Sequence, residues 1–443
     1  MQFKDLGLSD VTIATTAAVG YDKPTPIQAQ VIPHILQGRD VFGCAQTGTG
    51  KTASFTLPMI DLLSSGRARA RMPRSLILIP TRELAAQVVE NFQNYSKLTK
   101  LKHALLIGGE SPVEQQKTLQ KGVDVLIATP GRLLDLFDRG HILLNDIKLI
   151  VIDEADRMLD MGFIPDVEKL FSIVKHKKQT LLFSATMPKE IKRLANTFLK
   201  DPVEVIVSPP TQTATTITQY VIPTSDKDKR GTLKDILGKE ELKHTIIFCN
   251  RKKDATNLCI SLKRSKFNCG TLHGDLTQTK RTETLEAYRN GDINILVASD
   301  VAARGLDIDS ISHVFNYNVP QNAEDYIHRI GRTGRAGQEG KAMTFLTPDE
   351  QEQWNAIVSS TKSAIIDYTT GEPFTAGKAP AKGKQQRKKA APKPRNDKAA
   401  TPKTTSKQPE KKPAQELPKV PTNPVKGFGE NVPAFFNIAA AKK

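Results

Sequence analysis

Long apolar runs are missing. None in the 443 residues approaches the roughly 20 consecutive apolar positions that cross a bilayer as a helix, so membrane insertion is not expected. The opening stretch MQFKDLGLSD (1–10) has no basic segment followed by an apolar core, so export is not expected either. Cysteine is scarce too. Cys44, Cys249, Cys259 and Cys269 have no CxxC spacing, which argues against a zinc ligand set or a disulfide framework and suits the reduced thiols of a cytoplasmic protein.

What the chain does have is length, ordinary apolar content and positive charge. At 38% hydrophobic it has enough apolar residues for two or three domains with buried cores. Its net charge of +17 suggests a polyanionic partner. The charge is uneven: residues 371–443 hold 17 Lys or Arg against 5 Asp or Glu, a local +12, and leave only +5 for the first 370 residues.

Short β-branched runs alternate with helical stretches in two blocks. The first has DVFGC (40–44), SLILIP (75–80), VDVLIATP (123–130), KLIVIDEAD (148–156) and TLLFSAT (180–186). The second has HTIIFCN (244–250), INILVASD (293–300), ISHVFNYNVP (311–320) and KAMTFLT (341–347). Near-continuous apolar strands separated by helices predict parallel sheets covered on both faces, hence two α/β domains in tandem. The polar stretch SPPTQTATT (208–216) reads as the linker. Domains are therefore expected at 1–207 and 218–370, joined by 208–217. The Lys-, Pro- and Ala-rich segment 371–443 is expected to be disordered, because it cannot bury enough apolar surface to offset the entropy of ordering. Its apolar end, GFGENVPAFFNIAA (427–440), is either a docking motif for a protein partner or a frayed terminus.

AQTGTGKT (45–52) follows one predicted strand and opens a helical stretch. Gly48 and Gly50 let backbone N–H groups turn toward phosphate oxygens, Lys51 reaches the β- and γ-phosphates, and the Thr52 hydroxyl suits Mg²⁺. The usual pattern opens on Gly, and Ala45 stands there instead. An ordinary strand-to-helix turn is the competing reading. LIVIDEAD (149–156) favours the phosphate site: it puts Asp153 at the end of an apolar strand, where a carboxylate supports Mg²⁺, and Glu154 next to it, where it can take a proton from the attacking water.

With DEAD at 153–156 the chain resembles the DEAD-box family of ATP-dependent RNA helicases, and a dozen short motifs follow in that family's order from Phe3 to about Leu346. The resemblance implies two RecA-like domains that close over ATP and one RNA strand. GYDKPTPIQ (20–28) is similar to the Q motif, placed within residues 1–29, which implies that Gln28 reads adenine and Phe3 stacks on it. The loop residues Ala45, Gln46, Thr47, Gly48, Thr49, Gly50, Lys51 and Thr52 would cradle the phosphates, with Asp307 of RGLD (304–307) on the ribose. Ser184 and Thr186 of SAT, with Asp156, would couple hydrolysis to strand separation. HRIGRTGR (328–335) resembles the arginine-finger motif and implies that Arg332 and Arg335 neutralise the γ-phosphoryl group.

RNA contacts implied by the resemblance fall on Arg82, Gly108, Gly109, Thr129 and Arg132 in the first block. In the second they fall on Arg251, Gln278, Arg281 and Ser299. Ser299 keeps a hydroxyl where the family commonly has Thr, and Asn250 replaces a frequent Thr, which leaves that RNA contact open. The wording CNRKK (249–253) and HRIGRTGRAG (328–337) is most like the bacterial RhlE-type branch, implying a bacterial cytoplasmic enzyme with ATP and Mg²⁺ as cofactors. The tail reads either as an RNA tether or as a solubilising extension; it carries no RGG run. A helicase opening short duplexes is the leading expectation. An ATP-gated RNA clamp carries the same motifs, and a DNA helicase or a metabolic kinase fits them less well.

Overall fold

The computed structural model describes residues 1–46, 48–174, 178–207, 216–303, 311–334, 338–361 and 364–374. The first block forms one seven-stranded sheet from β1 (Val41–Cys44), β2 (Ser75–Leu78), β3 (His103–Leu106), β4 (Val125–Ala128), β5 (Leu149–Ile152), β6 (Gln179–Ser184) and β7 (Val203–Ile206). Their order is β3-β4-β2-β5-β6-β1-β7, and every pairing is parallel.

Register and side-chain alternation together make the core. Val41, Leu181, Val151, Ile77 and Ile127 lie side by side in one row across the sheet. That row faces one buried apolar cluster, while Phe42, Leu182, Ile150, Leu76 and Leu126, each one residue away, face the other. Burying each such side chain is worth about 1.5–3 kcal/mol, and covering both faces explains why these strands read as unbroken apolar runs. Asp40, just ahead of β1, accepts the Thr180 N–H at 2.8 Å and the Lys200 N–H at 2.7 Å and so ties three segments of the sheet together.

A second parallel sheet contains β8 (Ile217–Pro223), β9 (His244–Cys249), β10 (Cys269–Leu272), β11 (Ile295–Ser299), β12 (Ile311–Asn316), β13 (Gly340–Leu346) and β14 (Ile365–Asp367). Its order, β10-β11-β9-β12-β13-β8-β14, repeats that of the first. The two tandem RecA-like domains are those expected. Both sheets bring their central strands' C-terminal ends and following loops to one edge, where ligands of open α/β sheets bind.

Five strands were not anticipated from the sequence: β3, β7, β8, β10 and β14. β3, β7, β10 and β14 are sheet edges of three or four residues, and β7 keeps Glu204 and Ile206 exposed, so neither length nor hydrophobicity marks it. Two expected boundaries shift. Ile217, the last residue of the expected linker, is the first of β8. Order also continues past residue 370, because the Phe374 N–H bonds Ile365 O at 2.7 Å and its ring packs 6.4 Å from Trp354. Residues 208–215 and 375–443, including the expected tether and its apolar end, lie outside the described residues.

Candidate nucleotide and RNA site

Between β1 and the helix Lys51–Leu63, Gly48 and Gly50 take φ of 83° and 87°, which directs successive backbone N–H groups inward at the start of a 13-residue helix. Lys51 is buried at this turn, its Nζ donating to Ala45 O at 2.6 Å, and the Thr49 hydroxyl donates to Gln46 O at 2.7 Å. Thr52 is half-buried, and Thr47 lies outside the described residues. Gln28 braces the turn. Its Oε1 accepts the Thr25 N–H at 2.9 Å and its Nε2 donates to Gly50 O at 3.2 Å, so the Q segment and the phosphate loop are linked through one amide. Phe3 is buried in the same apolar cluster as that helix and stacks on Tyr21, centroids 6.3 Å apart.

Asp153, Glu154 and Asp156 are all buried where β5 passes into the helix Ala155–Asp160. Glu154 makes this turn in the left-handed region at φ 57°, a conformation that a non-glycine residue adopts at a cost of about 1–3 kcal/mol. Burial pushes the Asp153 carboxyl up to about 7, and Glu154 pushes the same way, against the pull of Lys51, the Glu154 N–H and Arg157. Asp156 is different. Burial also raises it, but His328, Lys51, Arg157 and the Thr186 N–H outweigh that and hold it below the usual carboxylate range. Its Oδ2 accepts from Ala185 N at 3.0 Å, Thr186 N at 2.8 Å and Thr186 Oγ1 at 3.1 Å. Ser184 is buried at the end of β6, and its hydroxyl has no hydrogen-bond partner among the described residues.

Among the described residues no cluster of three or more His, Cys, Asp or Glu is arranged to hold a metal ion. Asp153 at the end of β5 and Thr52 in the helix after the loop 45–50 are the two oxygen donors expected for a cation, a sparse set. That fits Mg²⁺, which keeps several waters and takes one or two protein ligands plus phosphate oxygens. A divalent cation would also favour the ionised form of a carboxyl that burial disfavours.

The second domain reaches this site through the helix Ala323–Ile330 and the turn after it. His328 is half-buried and close enough to the DEAD turn to feel its charges; desolvation pushes its imidazole down to about 4, as do Arg157 and Arg332, against the pull of Asp156 and Glu154. Arg332 is buried beside it, its Nε donating to His328 O at 3.2 Å. Arg335 and Asp307 lie outside the described residues. Arg329 has a structural role: it bonds Asp300 through Nε and Nη2 at 2.5 and 2.7 Å, Asn318 O at 2.9 Å and Asn250 Oδ1 at 2.7 Å. Asn250, just after β9, thus supports the helix Ala323–Ile330.

An open cleft of about 430 Å³ brings together Arg82, Gly108, Thr129, Arg132 and Arg281, five of the nine residues expected to touch RNA. Gly109 and Gln278 adjoin it. Side chains at Gly108 and Gly109 would crowd or collide with the Arg82 guanidinium, whose Nη1 donates to Gln278 Oε1 at 3.1 Å. Arg281 pairs with Glu83 at 2.8 Å, so both domains line one groove. Arg251 is exposed at the N-cap of the helix Lys252–Arg264, and Ser299 is buried at the end of β11; neither lines the cleft.

Glu83, Met161, Phe163, His328 and Arg157 were not singled out from the sequence, yet they line the cleft or the seam between domains. His328 opens the motif HRIGRTGR and Glu83 directly follows Arg82, so proximity to named arginines was the available signal. Met161 and Phe163 flank Gly162, which has φ of 74°, and look like ordinary helix-end residues in sequence.

The family model for the DEAD/DEAH box helicase domain matches residues 25–194, and that for the helicase conserved C-terminal domain matches residues 228–337. The chain is 41% identical over 360 residues to the DEAD-box ATP-dependent RNA helicase CshA of Bacillus cereus, covering 81% of this chain and 68% of that protein. It is 43% identical over 351 residues to the DEAD-box ATP-dependent RNA helicase RhpA of Helicobacter pylori, covering 79% and 70%. Among solved structures, S. cerevisiae Dbp5 bound to RNA and ADP BeF3 superposes with a TM-score of 0.75 at 31% identity, covering 82% of this chain and 94% of that one. With the phosphate loop, the DEAD turn and the two-domain cleft in place, these matches make the chain a member of the DEAD-box ATP-dependent RNA helicase family.

Proposed function

We infer that this chain is an ATP-dependent RNA helicase: it binds single-stranded RNA across both domains, opens short duplexes locally, and uses ATP hydrolysis to let the RNA go. The observation that carries this is the groove, where Arg82–Gln278 and Glu83–Arg281 join the two domains beside the residues expected to touch RNA, with His328 of the second domain acting electrostatically on Asp156 of the first.

Amides of the loop 45–52 and Lys51 hold the β- and γ-phosphates, Gln28 and Phe3 form the adenine end, and Asp307 takes the ribose. Thr52 and Asp153 hold Mg²⁺, which supplies charge neutralisation along the phosphates. Glu154 takes the proton as water attacks the γ-phosphorus; the bond to the β,γ-bridging oxygen breaks and ADP leaves. Arg332 and Arg335 neutralise the transferring group, a role worth about 10³ to 10⁵ in rate in comparable enzymes. Because they come from the second domain, hydrolysis waits on closure, and RNA across the groove favours closure. Asp156, Ser184 and Thr186 carry the coupling. Arg82, Gly108, Gly109, Thr129, Arg132, Arg251, Gln278, Arg281 and Ser299 grip phosphates and 2′-hydroxyls without reading bases.

The ATP-binding domain spans 1–207, the second domain begins at about 217 and continues to Phe374, and the basic segment beyond it tethers RNA. The wording of CNRKK and HRIGRTGRAG supports an RhlE-type bacterial enzyme of the cytoplasm, and the apolar end 427–440 supports a protein partner.

Steady-state ATP hydrolysis with and without single-stranded RNA, with single-stranded DNA as control, tests the reading. RNA-specific stimulation that Glu154→Gln abolishes supports it; equal stimulation by DNA, or none by RNA, overturns it.

A further inference from the structure

Two arginines are among the largest fully buried side chains, and they differ in how they are satisfied. Arg329 is bonded through all its guanidinium nitrogens. Arg157 has one ion pair, Nε to Glu154 Oε2 at 2.9 Å, with both side chains almost completely buried. None of its three guanidinium nitrogens makes a hydrogen bond among the described residues, and neither does Glu154 Oε2, so the pair is held by charge and proximity alone. A guanidinium kept only for packing or stability is expected to be fully bonded, since each buried donor left unmet is costly. Arg157 instead carries that cost beside the left-handed turn of Glu154, within electrostatic reach of His328 of the second domain. Held by an ion pair with no hydrogen bond fixing its orientation, it is free to turn with its partner carboxylate; Arg329, bonded from every side, is not.

We propose that Arg157 is a positioning residue for ATP hydrolysis that acts through Glu154, setting the direction of the carboxylate as the second domain docks. This rests on the reading of Glu154 as the proton acceptor. The guanidinium contributes no bond change of its own; through its ion pair it holds the direction of the Glu154 carboxylate while the second domain is docked.

The experiment compares wild type, Arg157→Met, Arg157→Lys, Glu154→Gln and the Arg157→Met/Glu154→Gln double variant in RNA-stimulated ATP hydrolysis, with thermal melting of each. Misplacing a reacting group by about 1 Å costs about 10²-fold, so Arg157→Met is expected to lower kcat by about 10- to 100-fold with the KM for ATP within about two-fold. Arg157→Lys, which restores a cation of similar length, is expected to recover part of that loss. In the Glu154→Gln background Arg157→Met is expected to add less than about two-fold, because residues acting as a unit are non-additive. Equal losses in both backgrounds, an unchanged kcat, or a loss that follows the melting temperature would overturn the proposal. If Arg157→Met does not fold, a Lys variant with wild-type melting and wild-type kcat overturns it, and one with lowered kcat and unchanged KM supports it. A fully active Glu154→Gln enzyme would instead remove the proton-acceptor reading beneath it.

Discussion

Asp156 receives both the backbone N–H and the hydroxyl of Thr186, at 2.8 and 3.1 Å, so the DEAD turn and the SAT turn are held by one carboxylate oxygen. Hydrogen bonds to a charged group are worth about 1.5–3 kcal/mol each, and losing the hydroxyl leaves the backbone bonds in place. Thr186→Ala is therefore expected to keep RNA-stimulated ATP hydrolysis within about ten-fold of wild type while strand displacement of a short RNA duplex falls further. Parallel measurement of the two rates checks this; a proportional loss in both would show that the contact does not couple them.

Gly50 cannot carry a side chain without two penalties. Its φ of 87° is a glycine conformation, and a Cβ there would collide with Gln28 Nε2. Gly50→Ala is expected to weaken ATP binding by at least about ten-fold through displacement of the loop, and to lower stability by about 1–3 kcal/mol. Titration with a fluorescent ATP analogue and denaturant melts separate the two effects.

Glu83 and Arg281 form a buried pair whose members belong to different domains. When the domains part, both charges return to water, so removing one partner penalises closure more than folding. Arg281→Gln is expected to weaken RNA binding in the presence of ATP by about 10-fold or more, with little change in melting of the domains. The exchange Glu83→Arg/Arg281→Glu should restore part of the loss, as read by RNA affinity at matched salt.

Acid should act on the seam through His328. Burial, Arg157 and Arg332 put its folded value at about 4, below the ordinary histidine value of 6.5. The unfolded or opened chain therefore binds a proton that the closed seam refuses. The neutral imidazole's contribution is full above about 6.5 and declines as pH falls toward 4. Melting of wild type across pH 7.5 to 5 should show a steeper acid loss than that of His328→Gln; identical slopes would remove His328 as the cause.

The central strands and the glycine- and carboxylate-bearing loops that follow β1 and β5 were legible in sequence because the same physics wrote both. Strands buried on two faces must be apolar throughout, and phosphate loops need glycines at fixed offsets, so β1 with Gly48 and Gly50, and β5 with Asp153 and Glu154, stand out. Edge strands such as β7 lack that constraint. The pairing of Arg82 with Gln278 joins residues 196 positions apart, and no local pattern encodes it. Arg157 is the instructive omission: in sequence it is one more cation at a helix start, and only its burial with unmet donors sets it apart.

Adjacent residues Arg82 and Glu83 begin one helix, line the groove, and both reach the second domain, so groove occupancy and domain docking draw on the same few contacts. Linkage then imposes a reciprocity. Whatever factor RNA adds to ATP affinity, ATP must add to RNA affinity, and conversion of ATP to ADP withdraws it from both sides of the balance at once. On the function proposed above, the turnover of one phosphate bond thereby sets how long the RNA is held.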